Sequence, residues 1–310
     1  MIYIKCDNNF FVLNRVGKKK TGSRINWTEE QINFIIEYYK KKNSVLEIAQ
    51  MFDTSQETIR KLLHKNNIKT KSKSEKAKEL KPRNSGYFKI IDTPDKAYWL
   101  GFLYADGGIQ LRNKSYSLRI NLKKEDDAHL YKFLKAIDAT SFKIKYTIKK
   151  TKDKIYEGCY VSICDKEMVQ DLIDKGCVPR KSLILKFPNE NQVPNNLLSH
   201  FIRGYFDGDG SISYRIIHPE TGTKYFSMNI LGTLDFLTKV KEILEVNHIK
   251  LNKQNKHYSL PLCGNNRIYK VLNIIYKDSN PDIELTRKRE KFDILSLERM
   301  GGEPVNTGCV

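Results

Sequence analysis

Apolar positions along this chain follow two periods in turn. From residue 27 to 68 they recur at helical spacing, in three sets: Ile32, Ile35, Ile36 and Tyr39; Ile48, Ala49 and Phe52; Ile59, Leu62 and Leu63. Thr28 with Gln31 three residues on is a capping-box signature for the first helix. Asp53-Thr54-Ser55 reads as a turn and an N-cap. From residue 88 onward, long apolar helical stretches alternate with period-two segments. The first set predicts strands over 109–112 and 116–122, turning at Asn113-Lys114. A helix follows through Ala128, Leu130, Tyr131, Leu134 and Ile137, then strands over 143–149 and 155–163 and a helix over 165–175. The second set repeats the order, with strands over 211–217 and 225–231, a helix over 234–246, strands over 249–254 and 258–262 and a helix over 266–276. Each set reads α-β-β-α-β-β-α.

The pattern divides the chain into an arm (1–26), a helical domain (27–68), a linker (69–87), two halves (88–193 and 194–297) and a tail (298–310). The arm holds a short strand pair, 2–4 and 10–12, and the run Lys18-Lys19-Lys20. The linker carries lysines without a hydrophobic period and ends in Pro and Gly signals. The tail has no periodicity and is expected to be disordered.

Both halves open on one motif. Tyr98-Trp99-Leu100-Gly101-Phe102-Leu103-Tyr104-Ala105-Asp106-Gly107 and Phe201-Ile202-Arg203-Gly204-Tyr205-Phe206-Asp207-Gly208-Asp209-Gly210 share apolar, glycine, aromatic and Asp-Gly positions. Such a repeat suggests one unit used twice about a pseudo-two-fold axis. Thr93-Pro94 and Pro194-Asn195 precede the motifs, and proline suits the first helical position. Gly101 and Ala105, like Gly204 and Gly208, lie four apart on one helix face and let two backbones approach. Gly107 and Gly210 are expected to end the helices as C-terminal capping glycines. Asp106 and Asp209 then stand at helix ends that are already negative. If the helices pair, the two carboxylates converge. A divalent cation with oxygen ligands, such as Mg²⁺ or Mn²⁺, would relieve their repulsion. A calcium loop does not fit Asp207 to His218: Ile212 stands where that loop needs glycine, and His218 where it needs glutamate.

These stretches resemble the LAGLIDADG motif of homing endonucleases, in the type that carries two motifs on one chain. The second copy is the closer, because Tyr104 stands where the family often has an acid. The resemblance covers about residues 88 to 297. It implies an α+β fold in which two pseudo-symmetric halves form a DNA-binding saddle, with Mg²⁺-dependent hydrolysis of double-stranded DNA. Asp106 and Asp209 would be catalytic and metal-binding, with Gly107 and Gly210 beside them at the metal. The family places a lysine near the end of each half at the active site. Here that implies Lys181, in Val178-Pro179-Arg180-Lys181-Ser182, and Lys288, in Leu285-Thr286-Arg287-Lys288-Arg289, both expected on surface loops. Residues 27–68 resemble a helix-turn-helix, in which Gln56 and Arg60 would reach base edges and Lys61 phosphate. Asp53 stands where many such turns have glycine.

Charge agrees with a nucleic-acid partner. Lys and Arg number 55 against 36 Asp and Glu, a net +19. Residues 1–90 hold 20 basic and 9 acidic side chains, so the front of the chain is the more positive. No stretch has the about 18 apolar residues of a membrane span. The start lacks the order of a secretion signal, so a cytoplasmic, nucleoid-associated monomer is expected. Six cysteines form no zinc pattern and six histidines no His-based nuclease cluster. Strand alternation assigns the polar sheet faces to DNA: Arg112, Arg119 and Asn121, then Lys143 and Lys145, and in the second half Ser213, Arg215, Asn229, Asn252 and Gln254. Two alternative readings share this pattern: an RNA-splicing maturase that binds intron RNA, and a DNA-binding regulator that does not cut.

Overall fold

The computed structural model describes residues 2–6, 9–13, 26–41, 44–70, 75, 83–112, 115–151 and 154–300. The basic run at 18–20, the turn at 113–114, most of the linker and residues 301–310 lie outside them. Two compact units divide the chain, residues 1–80 and 81–310.

In the first unit, strands β1 (Ile2–Cys6) and β2 (Asn9–Leu13) pair antiparallel. Helices α1 (Glu29–Lys40), α2 (Val45–Met51) and α3 (Gln56–Lys65) start at the oxygen-bearing caps Thr28, Ser44 and Ser55. Gln31 and Glu47 return hydrogen bonds to the cap backbones, so orphan N–H groups at these helix starts are satisfied reciprocally. Ile35, Val45, Ile48, Ala49, Phe52, Ile59 and Leu63 close a core of their own. Asp53 takes the left-handed conformation that its turn requires, φ 47°.

The second unit is built on helices α4 (Pro94–Asp106) and α7 (Leu198–Asp209). Thr93 caps α4 with Pro94 in its first turn. Pro194 and a 3-10 turn at Asn195–Leu197 lead into α7. Ala97 to Tyr104 and His200 to Asp207 are buried without a break; α4 is apolar nearly all round there, as buried helices are, while α7 also buries His200, Arg203 and Asp207. Their contact is reciprocal. A Cβ on Gly101 would stand 1.9 Å from the Phe201 carbonyl oxygen, and one on Gly204 1.9 Å from that of Tyr98. One on Gly208 would meet the Ala105 Cβ at 2.2 Å. The contacts 98–204 and 101–201 exchange under the pseudo-two-fold, and both precede the contact 105–208 in each helix, so the helices run parallel and their C-terminal ends meet.

After α4 come β3 (Gly107–Arg112), β4 (Ser115–Lys123), α5 (Asp127–Ala136), β5 (Lys145–Lys150), β6 (Ile155–Cys164) and α6 (Lys166–Asp174). After α7 come β7 (Gly210–His218), β8 (Thr223–Gly232), α8 (Leu234–Ile243), β9 (Asn252–Gln254), β10 (His257–Cys263) and α9 (Asn265–Tyr276). The two antiparallel sheets have the same order, β3-β4-β6-β5 and β7-β8-β10-β9. Leu118, Ile120, Val161 and Ile163 fill the inner face of one, and Phe226, Met228, Ile230, Leu260 and Leu262 that of the other. Among the described residues no helix is long and apolar enough to cross a membrane.

Five local expectations are corrected. Gly107 and Gly210 are extended, with φ −74° and −87°, not left-handed. Glycine is needed there for room, since a Cβ would lie 2.6 Å from the Leu103 oxygen or 2.1 Å from the Phe206 ring. Lys143 precedes β5, and every position of β5 is exposed, so its alternation marks no buried side. Tyr131 faces solvent on α5. β9 begins at Asn252, and α8 ends at Ile243. Finally, α10 (Thr286–Met300) occupies a stretch expected as a loop and runs into the expected tail, anchored by Phe292 and Leu295.

The helix contact has a direct test. Gly101→Ala should cost about 3 kcal/mol or more, because the obstacle is backbone. Gly86→Ala, whose Cβ would meet nothing nearer than 3.9 Å, should be close to neutral. Urea denaturation of both variants checks this, and equal midpoints would refute the close approach.

Candidate functional site

Parallel pairing brings Asp106 and Asp209, the last residues of α4 and α7, to one end of the helix pair. The Asp106 Oδ2 lies 3.2 Å from where a Gly208 Cβ would stand, so this carboxylate sits against the partner helix. Burial and the charge of Asp209 push Asp106 up to about 7. Burial also raises Asp209, while the Lys181 ammonium and a hydrogen bond with Tyr205 hold it back.

Two lysines meet this negative end. Lys181, in a 3-10 turn at Lys181–Leu183, is buried and donates from Nζ to the Gly107 carbonyl. Lys288, on the first turn of α10 and 2% exposed, donates to the carbonyls of Phe206, of Asp207 at 2.8 Å and of Gly210 at 2.6 Å. Ammonium groups on helix-end carbonyls offset the macrodipole that makes these ends unfavourable for acids. Their influence on the acids is crossed. Of the two lysines, Lys181 acts more strongly on Asp209 and Lys288 on Asp106. Burial drives Lys288 itself down to about 8.

Neither lysine is on a solvated loop as expected. Lys288 is placed by Asp207, which the sequence reading left without a role. Asp207 is fully buried and accepts from the Tyr98 hydroxyl at 2.7 Å, the Tyr276 hydroxyl at 3.1 Å and the Leu285 N–H at 3.0 Å, just before α10. The matching residue of the first half, Tyr104, instead donates to the Lys175 carbonyl. Arg287 adds a clamp between halves, with Nε donating to Asp126 Oδ1 at 2.9 Å.

Among the described residues no group of three or more His, Cys, Asp and Glu is arranged to hold a metal ion. The oxygen-only pair Asp106 and Asp209 fits a hard cation, because each buried carboxylate becomes easier to ionise beside one. The Gly107 and Gly210 carbonyls, expected beside the metal, each accept from a lysine ammonium with one of their two lone pairs. Beside Asp209 a cavity of about 210 Å³ is lined by Lys181, Ser182, Tyr205, Thr233 and His257.

The residues expected at nucleic acid are spread over both units. On α3, Arg60 Nη2 donates to Gln56 Oε1 at 3.0 Å, and Lys61 is exposed. On the first sheet, Arg119 Nε donates to Asn121 Oδ1 at 3.0 Å and its guanidinium stacks 3.9 Å from the Tyr160 ring centre. Lys145 approaches the same ring, and Arg112 is exposed at the end of β3. On the second sheet, the Ser213 hydroxyl pairs with that of Ser227 at 3.0 Å, and Arg215 lies 5.5 Å over the Tyr225 ring. Asn229 is half-buried, Asn252 is exposed, and Gln254 is in β9 with its side chain outside the described residues. Tyr160 and Tyr225, which order these arginines, were missed, because only strand register reveals the neighbours.

No family model matches the chain. It is 30% identical over 124 residues to a probable translation initiation factor IF-2 of Methanocaldococcus jannaschii; the match spans 37% of this chain and 11% of that protein. Among solved structures, the homing endonuclease I-WcaI bound to its DNA recognition sequence is 14% identical with a TM-score of 0.48, over 74% of this chain and 96% of that one. The LAGLIDADG meganuclease I-AabMI bound to uncleaved DNA is 12% identical with a TM-score of 0.43, over 68% and 91%. At such values the functional reading rests on this chain's own geometry.

Two variants test the electrostatics. Between about pH 4 and 7 the unfolded chain has released the Asp106 proton and the folded chain has not, so this group makes the metal-free protein less stable as pH rises. Asp106→Asn removes the penalty. In EDTA it should melt about 3 °C or more above the parent at pH 8, and level with it below about pH 4. Equal melting at pH 8 would sink the account. Asp207→Ala orphans two buried hydroxyls and an N–H and should cost about 3–5 kcal/mol in urea unfolding.

Proposed function

We propose that this protein is a LAGLIDADG-type endonuclease that makes a double-strand break in a long, asymmetric DNA site, acting as a monomer with Mg²⁺ or Mn²⁺. The observation that carries the reading is the convergence of Asp106 and Asp209 at the joined ends of two parallel helices, each end bearing a buried lysine. A surface turn would not need two acids desolvated side by side. A purely structural helix pair would not need lysines to neutralise that end.

In this reading Asp106 and Asp209 hold the cation. When bound, Mg²⁺ would supply an activated water and stabilise the entering and leaving oxygens. Lys181 and Lys288 are charges fixed by carbonyls rather than mobile side chains, and so are preorganised for charge that develops on the phosphate. One acid per half allows one strand to be cut by each half. The polar sheet faces supply the basic, amide and hydroxyl groups that read base edges and hold phosphates, with Arg119 and Arg215 ordered on aromatic rings. The helical domain at 27–68 would extend the contact as a helix-turn-helix, with Gln56 and Arg60 at base edges and Lys61 at phosphate.

The test is digestion of a randomised target library and of source DNA, with and without Mg²⁺. Discrete double-strand cuts that require Mg²⁺ and disappear in Asp209→Asn are expected, with DNA binding retained. Lys181→Met and Lys288→Met should each slow cutting by about 10²–10³. Tight, specific binding without cuts in Mg²⁺ or Mn²⁺ would replace this reading with a non-cutting regulator. Preferential binding of intron RNA would replace it with a maturase.

A further inference from the structure

The two halves share a fold but not the chemistry around their acids. Strand register makes the comparison residue by residue. Gly107 pairs with Ile120, and Ile120 with Val161. In the other sheet Gly210 pairs with Ile230, and Ile230 with Leu260. Val161 and Leu260 are therefore equivalent, and three residues earlier on their strands Gly158 is equivalent to His257. The motif alignment likewise makes Phe102 equivalent to Tyr205.

On the Asp209 side, His257 and Tyr205 line one cavity together with Asp209 and Lys181. The Tyr205 hydroxyl donates to the Leu231 carbonyl at 2.9 Å, which holds the ring at the cavity wall. On the Asp106 side, Phe102 has no hydroxyl and packs against the His129 ring. Gly158 leaves no side chain, and a Cβ there would meet Thr147 Oγ1 at 3.0 Å and the Leu122 oxygen at 3.3 Å. Asp126 stands near Asp106 instead, engaged by Arg287.

We propose that the halves form chemically unequal sites, and that His257 contacts the scissile phosphate of one DNA strand only, the strand served by Lys181. An imidazole can donate a hydrogen bond to a phosphate oxygen, as glycine cannot. The cavity places it beside the acid and the fixed ammonium, where charge develops on the phosphate. This inference rests on the endonuclease reading.

The experiment follows each strand of an end-labelled duplex carrying a site selected by the wild-type protein. His257→Ala should slow one strand by about tenfold or more, leave the other unchanged and accumulate a nick on a single strand. The slowed strand should be the one slowed more by Lys181→Met than by Lys288→Met. Duplex binding and melting temperature should match wild type, and His257→Gln, which keeps a donor, should recover part of the rate. Equal slowing of both strands, no slowing, or slowing of the strand that depends on Lys288 would overturn the proposal while the endonuclease reading stands. If His257→Ala does not fold, His257→Gln is read alone by the same strand criterion. A wild-type protein that cuts neither strand of any library member would overturn the endonuclease reading and this proposal with it.

Discussion

The structure of residues 81–310 depends on one contact, the reciprocal approach of two helix backbones at Gly101 and Gly204. Each glycine leaves room for a carbonyl of the opposite helix, of Phe201 in one direction and of Tyr98 in the other. Equal offsets in both directions make the pair parallel and pseudo-symmetric. A parallel pair brings two C-terminal ends together, and with them the residues that end the motifs, Asp106 and Asp209. The sheets that follow begin at Gly107 and Gly210, directly beyond those ends. Their placement is inherited from the helices.

Joining two helix C-termini creates an electrostatic problem, since two acids and two negative dipole ends share a buried region. The chain answers with Lys181 and Lys288, delivered from the segments that follow each half and seated on the helix-end carbonyls. Asp207 fixes Lys288 by holding the backbone of Leu285, and it draws Tyr98 of the opposite half into the same hydrogen-bond set. The lysines make the site tolerable without abolishing its strain, as the raised Asp106 shows. What remains is a buried pair of acids whose ionisation is opposed by burial and by their mutual charge.

Pseudo-symmetry is kept by the backbone and broken by side chains. Asp207 against Tyr104, Tyr205 against Phe102 and His257 against Gly158 all surround the same helix ends. The first difference puts a carboxylate in the second half where the first has a phenol, and the other two each add a polar group in the second half. A gene product with two copies of one unit can vary each copy separately, so the two DNA strands need not meet equivalent chemistry.

Much of this was legible from the residues. The repeated motif, its small-residue faces, the converging acids and the α-β-β-α-β-β-α order all follow from local spacing, because helix and strand periods and helix caps are encoded within a few neighbouring positions. Local pattern misled where the deciding partner is distant. The stretch around Lys288 looked like a charged loop. It is a helix because Phe292 and Leu295 reach the core and Asp207 holds its entry. Gly107 and Gly210 end their helices as expected, but in extended conformation, and space for Leu103 and Phe206 is what requires glycine there. Tertiary structure alone decided that each motif-end acid feels the opposite half's lysine more than its own and that His257 lies beside Asp209. Sequence spacing determines which face a side chain shares with its neighbours; how two such faces cross, and which charges then meet, is set by packing between segments distant in the chain.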